Sequence, residues 1–306
     1  MRWRLGWRRM LNKLEVGLPL VSVVIPSFNH AAFVAECIES VMAQDYARIE
    51  LVVIDDGSSD HSVRVIESLV SGCEARFERF AFWHQANAGV AATLNAGLAW
   101  CRGEFVCPIA SDDVMLPGKI SRQVANFADC APEVLALYGG EQVIGADGAV
   151  LRERDYPRCV YRFEDVLLRY SFLSAPSAMF RLAPLKAIGY QPGLVVEDWS
   201  MSLRLLENGG VFLNTGEVWV KKRLHDSNVS WQFEAIWDCS LTILARYRDH
   251  RLYSKALARV MVAQAFYYFR TNRREALRWL WRAWRVDVGV VWDRRLLWSA
   301  YLRFFR

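Results

Sequence analysis

A chain of 306 residues with 53% apolar and 23% charged side chains can bury a substantial core, which excludes a disordered or low-complexity protein. Seven cysteines without CxxC or Cys/His metal spacing read as reduced thiols and exclude a disulfide framework. The net charge of +5 is unevenly placed: residues 1–15 carry five Lys/Arg against one acid and residues 251–306 thirteen against three, so the ends are basic and the body is acidic.

No uncharged apolar run reaches the ~18 residues of a spanning helix, and the first residues lack a secretory signal. The expectation is a cytoplasmic chain, neither exported nor transmembrane. The basic ends also hold seven of the thirteen tryptophans, at positions 3, 7, 279, 281, 284, 292 and 298. Tryptophan interleaved with arginine suits an interfacial segment, with the ring at headgroup level and the cation on anionic lipid. An anionic membrane surface is therefore an expected partner of residues 251–306, peripheral on the inner face of the cell membrane. Helices packing back on the body are the alternative. Nucleic acid is not expected, since the acidic body would repel a phosphate backbone.

In chain order, residues 21–26 (VSVVIP) form a short β-branched strand, and Asn29 caps a helix whose Phe33, Cys37, Ile38 and Val41 share one face. Residues 49–54 (IELVVI) form a second buried strand ending on Asp55-Asp56, with a helix over 63–70 beyond the Gly57 turn. A turn at Asn87-Ala88-Gly89 precedes a helix reaching about Trp100, and residues 105–113 (FVCPIASDD) form an apolar strand that stops on two adjacent carboxylates. Alternating strand and helix predicts a mainly parallel α/β sheet, whose ligands lie at the carboxyl edge of the strands. Asp112 and Asp113 at that edge need a partner to be desolvated, and a hard cation is one; a helix cap before Leu116-Pro117 is the other. Neither GxxxxGK[ST] nor GxGxxG occurs, so a P-loop and a dinucleotide fold have no support. The Glu197-Asp198 pair opens an amphipathic helix that Gly209-Gly210 ends, and taken alone it reads as an acidic helix start.

Six ordered segments, at residues 23–29 (VVIPSFN), 53–62 (VIDDGSSDHS), 87–97 (NAGVAATLNAG), 110–113 (ASDD), 197–199 (EDW) and 225–230 (HDSNVS), resemble those of family 2 glycosyltransferases over roughly residues 20–230. The resemblance implies an inverting enzyme of the GT-A fold, a mixed but mainly parallel sheet flanked by helices, with a C-terminal helical appendage here. It implies division into a basic N-terminal arm (1–18), a nucleotide-sugar half (19–125), an acceptor half (126–230) and a helical, basic segment (231–306).

By the same resemblance, Pro26, Phe28, Asn29, Asp55, Asn87 and Gly89 line the nucleotide-sugar site. Asp55 accepts from an imide N–H of uracil or thymine, and Gly89 serves close backbone approach. Asp56 is expected to organise its own turn. The family often has arginine where this chain has Leu94. Asp113 is placed on the cation and Asp112 on the ribose or a metal-bound water, either being able to ligate, and His225 completes a Mn²⁺ or Mg²⁺ site. Asp198 matches the catalytic base and Glu197 its orienting neighbour, whose charge raises the basicity of the pair. Trp199 either stacks on the acceptor or packs in the core. The implied function is transfer of a sugar from a UDP- or dTDP-sugar to a saccharide or lipid-linked saccharide in cell-surface polysaccharide (O-antigen) assembly. The alternative is an inactive nucleotide-sugar-binding subunit or membrane-assembly module. Residues 139–175, rich in loop signals and arginine, are expected on the acceptor side without assigned contacts. Beyond Trp231 the pattern is helical, with Arg274, Arg278, Arg282 and Arg285 in a stripe opposite Leu277, Leu280 and Trp284.

Overall fold

The computed structural model describes residues 17–168, 173–226, 233–269 and 271–290. The N-terminal arm up to residue 16, four of the end tryptophans (Trp3, Trp7, Trp292 and Trp298) and most of the HDSNVS segment lie outside the described residues. In chain order the elements are β1 (Val21–Ser27), α1 (Val34–Met42), β2 (Ile49–Asp55), α2 (Ser62–Arg76), β3 (Arg79–His84), α3 (Val90–Trp100), β4 (Phe105–Pro108), β5 (Val114–Met115), α4 (Lys119–Ala128), β6 (Val134–Ile144), β7 (Val150–Arg154), β8 (Cys159–Tyr161), α5 (Phe163–Leu168), β9 (Met179–Arg181), α6 (Leu182–Ile188), α7 (Glu197–Leu206), β10 (Val211–Arg223), α8 (Phe233–Ala245), α9 (Tyr253–Tyr268) and α10 (Arg273–Val286). They fall into two compact units that interleave along the chain: residues 1–160, 173–190 and 211–224 in one, residues 161–172, 191–210 and 225–306 in the other.

The first unit holds the sheet, in the order β3-β2-β1-β4-β9-β6-β10-β5. Strands β3, β2, β1 and β4 are parallel, and β9 turns the direction by pairing antiparallel with β4 and β6. Because β1 and β2 are covered on both faces, they read as unbroken Val/Ile runs rather than alternating ones. Val21, Val23, Ile25, Leu51 and Val53 pack in one cluster with Val34, Cys37, Ile38 and Val41 of α1. The parallel register sets Ser27 opposite Asp55 and Asp55 opposite His84, so three strands end level and deliver their polar residues to one edge. At the other end of these strands, buried Glu50 accepts from Ser22 Oγ (2.6 Å) and the N–H groups of Arg102 (2.6 Å) and Gly103 (3.0 Å), and it pairs with Arg79. That satisfies a carboxylate which the strand would otherwise bury unpaired.

The stretch 139–175, whose loop signals predict an irregular insert, instead contributes three strand segments and a short helix. Residues 134–144 form β6, eleven residues long, with β7 antiparallel beside it and β10 parallel on its other side. Gly139 reads as a turn residue in sequence, but it sits mid-strand because the Trp219 ring of β10 lies where its side chain would be. A Cβ there would stand 1.9 Å from Trp219 Cδ1.

The second unit is helical. Buried Trp199 of α7 donates its indole N–H to the Val166 carbonyl of α5 (3.0 Å). At the far end of α7, Glu207 takes both arms of Arg246 (2.9 and 3.0 Å) and the Tyr247 hydroxyl (2.7 Å) from the end of α8. Helices α9 and α10 pack through Ala258, Val262 and Ala283.

Gly139→Ala is expected to lower stability by about 1–3 kcal/mol, the usual cost of overpacking, in urea unfolding followed by circular dichroism. Shrinking the ring in Gly139→Ala/Trp219→Leu should recover part of that loss, and simple additivity of the two changes would refute the contact.

Candidate active site

The turn that follows β4 is built by neighbours on three sides. The Ile109 N–H bonds the Val24 carbonyl (3.0 Å), and the Asp113 N–H closes back on the Ala110 carbonyl (3.0 Å). Helix α1 and the residue pair after it brace the turn with three side chains. Cys37 Sγ donates to the Ala110 carbonyl (3.4 Å), and Ser40 Oγ accepts from the Met115 N–H (3.0 Å). Gln44, just beyond the helix end, bonds both the Leu116 carbonyl (3.0 Å) and the Ile120 N–H (3.2 Å). Cys37 and Ser40 lie three apart on one face of the helix, so they reach the same turn.

Arg223, the last residue of β10, closes the turn from below. Its backbone N–H donates to Asp113 Oδ1 (2.9 Å) and its Nε to the Asp112 carbonyl (3.0 Å). The rest of the buried guanidinium reaches the carbonyls of Gly145 (3.2 Å) and Ala146 (3.1 Å) and the Glu36 carboxylate (2.5 Å), over the Phe33 ring. Asp112 and Asp113 are both buried. Burial, and then the charge of Asp112, push the Asp113 carboxyl well above the usual carboxylate range, against Lys222 and the Arg223 N–H, which pull it down. Adjacent buried carboxylates are groups of the kind a divalent cation stabilises.

Sequence reasoning passes over His30. Its Nδ1 is hydrogen-bonded to the buried Ser111 hydroxyl (2.8 Å), and it offers a ring nitrogen within 4.8 Å of an Asp112 carboxylate oxygen. Carboxylate oxygens with an imidazole nitrogen fit Mn²⁺ or Mg²⁺, the nitrogen favouring Mn²⁺. The signal available in sequence is a histidine directly after the Asn29 turn at the end of β1.

Along the neighbouring strand ends the polar residues mostly build loops. Buried Asp55 accepts from Ser58 twice, through the N–H (2.9 Å) and the hydroxyl (2.6 Å). Asp56 does more than organise its own turn: it holds the Asn87 loop by accepting from Gln85 Nε2 (2.9 Å) and the N–H groups of Ala88 (2.9 Å) and Gly89 (2.8 Å). Gly89 has φ 83°, a conformation that favours glycine, and an added Cβ would meet no protein atom within 4 Å. Asn29 caps no helix. Phe33 occupies the N-cap position of α1, and Asn29, itself at φ 53°, accepts from the Ser59 N–H (2.8 Å) and donates its own N–H to Ser58 Oγ (2.8 Å). Phe28 is 45% exposed and therefore not core, Asn87 is exposed, and Pro26 is half-buried. Between Pro26 and Phe28, the buried Ser27 hydroxyl has no partner among the described residues.

In the helical unit, Glu197 and Asp198 occupy the first turn of α7, where the helix dipole favours negative charge. Asp198 Oδ1 accepts the Trp199 N–H (2.8 Å). Burial and then the Asp198 charge raise the Glu197 carboxyl to about 8, so the pair carries a proton at neutral pH. Trp199 is only 3% exposed, so it packs in the core and has no ring face to offer a sugar. His225 is half-buried and opens the helical unit two residues after Arg223.

Replacing Arg223 by Met keeps the stem and the backbone N–H to Asp113 but strands the carbonyls of Asp112, Gly145 and Ala146 and the Glu36 carboxylate, and should cost about 2–4 kcal/mol in urea unfolding. Arg223→Lys should recover only part, since one ammonium cannot span the fork. Glu197 binds its proton more tightly folded than unfolded, so its contribution to stability is greatest below the unfolded value of 4.5 and declines as pH rises to about 8. The melting temperature of Glu197→Gln should therefore gain on wild type from pH 5 to pH 8, at about 2–4 °C per kcal/mol. Parallel pH profiles would exclude a raised Glu197.

Comparison with known proteins places this geometry. The family model "Glycosyl transferase family 2" matches residues 22–189, more than half of the chain. An uncharacterized glycosyltransferase of Rickettsia felis is 34% identical over 45% of this chain and 22% of its own length, so the match spans about a fifth of that relative. One from Rickettsia typhi is 26% identical over 74% of this chain and 73% of its own. Chondroitin synthase of Escherichia coli is 23% identical over 89% of this chain and 37% of its own. Among solved structures, S. aureus TarS 1-349 in complex with UDP-GlcNAc superposes with a TM-score of 0.64 at 18% identity, covering 90% of this chain and 82% of that one. The mannosyltransferase PcManGT of Pyrobaculum calidifontis, in complex with GDP-Man and Mn²⁺, gives 0.57 at 16% identity, with 94% of each chain covered. With the sheet, the strand-end acids and the family match in agreement, the chain belongs to glycosyl transferase family 2 and has the GT-A fold.

Proposed function

We propose that the chain is a metal-dependent inverting glycosyltransferase that moves a sugar from a UDP- or dTDP-sugar to a saccharide or lipid-linked saccharide, in cell-surface polysaccharide assembly. The observation that carries the reading is the buried Asp112-Asp113 pair at the end of β4, with the His30 nitrogen beside Asp112, on a fold whose solved relatives hold nucleotide sugars.

Asp112 is the better direct ligand, because Asp113 Oδ1 already takes the Arg223 N–H, leaving Asp113 to supply charge and its second oxygen. His30 and His225 supply the nitrogens, His225 on the strength of its motif. A bound cation supplies positive charge for the departing diphosphate. On the donor side, the exposed Phe28 ring suits stacking on a base, and Asp55 suits an imide N–H through the lone pairs Ser58 leaves free. Pro26, Asn29, Asn87 and Gly89 shape the same pocket. The acceptor hydroxyl gives its proton to Asp198, the residue the EDW motif assigns. Glu197, beside it in the first turn of α7, orients the sugar hydroxyls or Asp198.

The test is a panel of nucleotide sugars assayed for hydrolysis and transfer, with EDTA and with added Mn²⁺. Turnover of a UDP- or dTDP-sugar should vanish with chelator and return with Mn²⁺. Asp112→Asn should lose this response, whereas Asp198→Asn should keep donor binding and lose transfer by ~10²–10⁴-fold. Activity indifferent to chelator would overturn the metal role, and donor binding without turnover across acceptors would favour a non-catalytic subunit.

A further inference from the structure

Helix α10 is apolar on two sides. Inward, Ala276 and Ala283 are buried, Leu280 and Val286 pack against the cluster shared with α9, and Trp279 meets Trp237 of α8. Outward, Leu277, Trp281 and Trp284 are 60%, 56% and 44% exposed, with Val288 59% exposed just past the helix end. A helix that served only to pack on its neighbours would need the inward side alone and would not leave two further tryptophans in water. At about 100° per residue, Leu277, Trp281 and Trp284 fall within an arc of about 60°. Arg274, Arg278 and Arg285 occupy roughly the next 40°. The arginines therefore lie beside the exposed apolar strip, not opposite Leu277 and Trp284 as the spacing alone predicts. Arg285 sits 4.9 Å from the Trp281 ring, so cation and ring form one edge. The only acid of the helix, Glu275, lies beyond the arginines and is bonded to Arg278 (3.0 Å).

We propose that this outer face of α10 is a docking surface for an anionic lipid bilayer, with the helix lying in the plane of the interface. Leu277, Trp281 and Trp284 enter the boundary between headgroups and acyl chains, and the arginine row meets lipid phosphates. Charge complementarity selects this occupant: five arginines against one glutamate over residues 273–286 suit a negatively charged surface. The apolar row separates it from nucleic acid, because a phosphate backbone would use the arginines and leave two large rings in water. No helix among the described residues is long and apolar enough to cross a membrane, so the contact is one of surface and not of span. The surface is independent of the donor chemistry, and the two readings fail separately.

The experiment is flotation of the full chain with vesicles of phosphatidylglycerol and phosphatidylethanolamine, against vesicles of phosphatidylcholine alone. Wild type should float with the anionic vesicles, less at high salt, and only weakly with phosphatidylcholine. Trp281→Ser/Trp284→Ser should weaken partitioning by about tenfold or more. Arg274→Gln/Arg285→Gln should weaken it by about fivefold per arginine. Both pairs are on the surface, and circular dichroism checks that they fold. Quenching of tryptophan fluorescence by brominated lipid should fall in the Trp pair variant. Flotation unchanged by that pair would overturn the proposal. So would absence of vesicle binding in wild type, or a dimer that the Trp pair dissociates without any vesicle binding. Retention on an oligonucleotide with no preference for anionic vesicles would equally overturn it.

Discussion

The first unit depends on keeping two neighbouring carboxylates, Asp112 and Asp113, buried at the end of a strand. Neither can be desolvated cheaply, and the chain answers from two directions. Arg223 spends its backbone N–H on Asp113 and its side chain on the surrounding carbonyls, while Cys37 and Ser40 of α1 and Gln44 just beyond it grip the turn. The guanidinium bonds the turn's backbone and Glu36, so the scaffold around the acidic pair is fixed through the main chain.

The same edge shows acidic residues used in a second way. Asp56 is as buried as Asp113, yet every contact it makes ties one loop to another, joining the end of β2 to the start of α3. Asp55 and Asn29 likewise clasp the Ser58-Ser59 turn. Three loops, those after β1, β2 and β3, are thereby cross-linked before any ligand arrives. Phe28, left exposed at the centre of this arrangement, is the ring with a free face.

Much of this was legible in the residues, and the failures have identifiable causes. The buried parallel strands announce themselves because Val and Ile fill both faces, and β1, β2 and β4 start where their apolar runs start. Strand β3 is half-buried at the sheet edge, and its apolar run, Phe80-Ala81-Phe82-Trp83, is short and lacks the β-branched residues that mark β1 and β2. Strand β6 is hidden by Gly139-Gly140, a turn signal in which Gly139 here makes room for the ring of Trp219, a residue distant in sequence. Arg223 looks like one more cation in Lys221-Lys222-Arg223, and only the sheet register reveals which of the three points inward. Cys37 was legible as apolar, which its burial bears out, but its thiol bond to Ala110 depends on a tertiary contact. Helix α10 was legible as helix; which side it turns to α9 was not, because alanine gives a weak periodic signal beside leucine and tryptophan.

The order of the sheet also constrains how the protein is made. Strand β10 lies between β6 and β5, although it is the last strand to be synthesised and follows the excursion through α7. Until residues 211–223 leave the ribosome, β6 has an open hydrogen-bonding edge and the acidic turn has no arginine beneath it. A nascent chain stalled before that point would carry an open strand edge, the kind of surface on which incomplete domains aggregate.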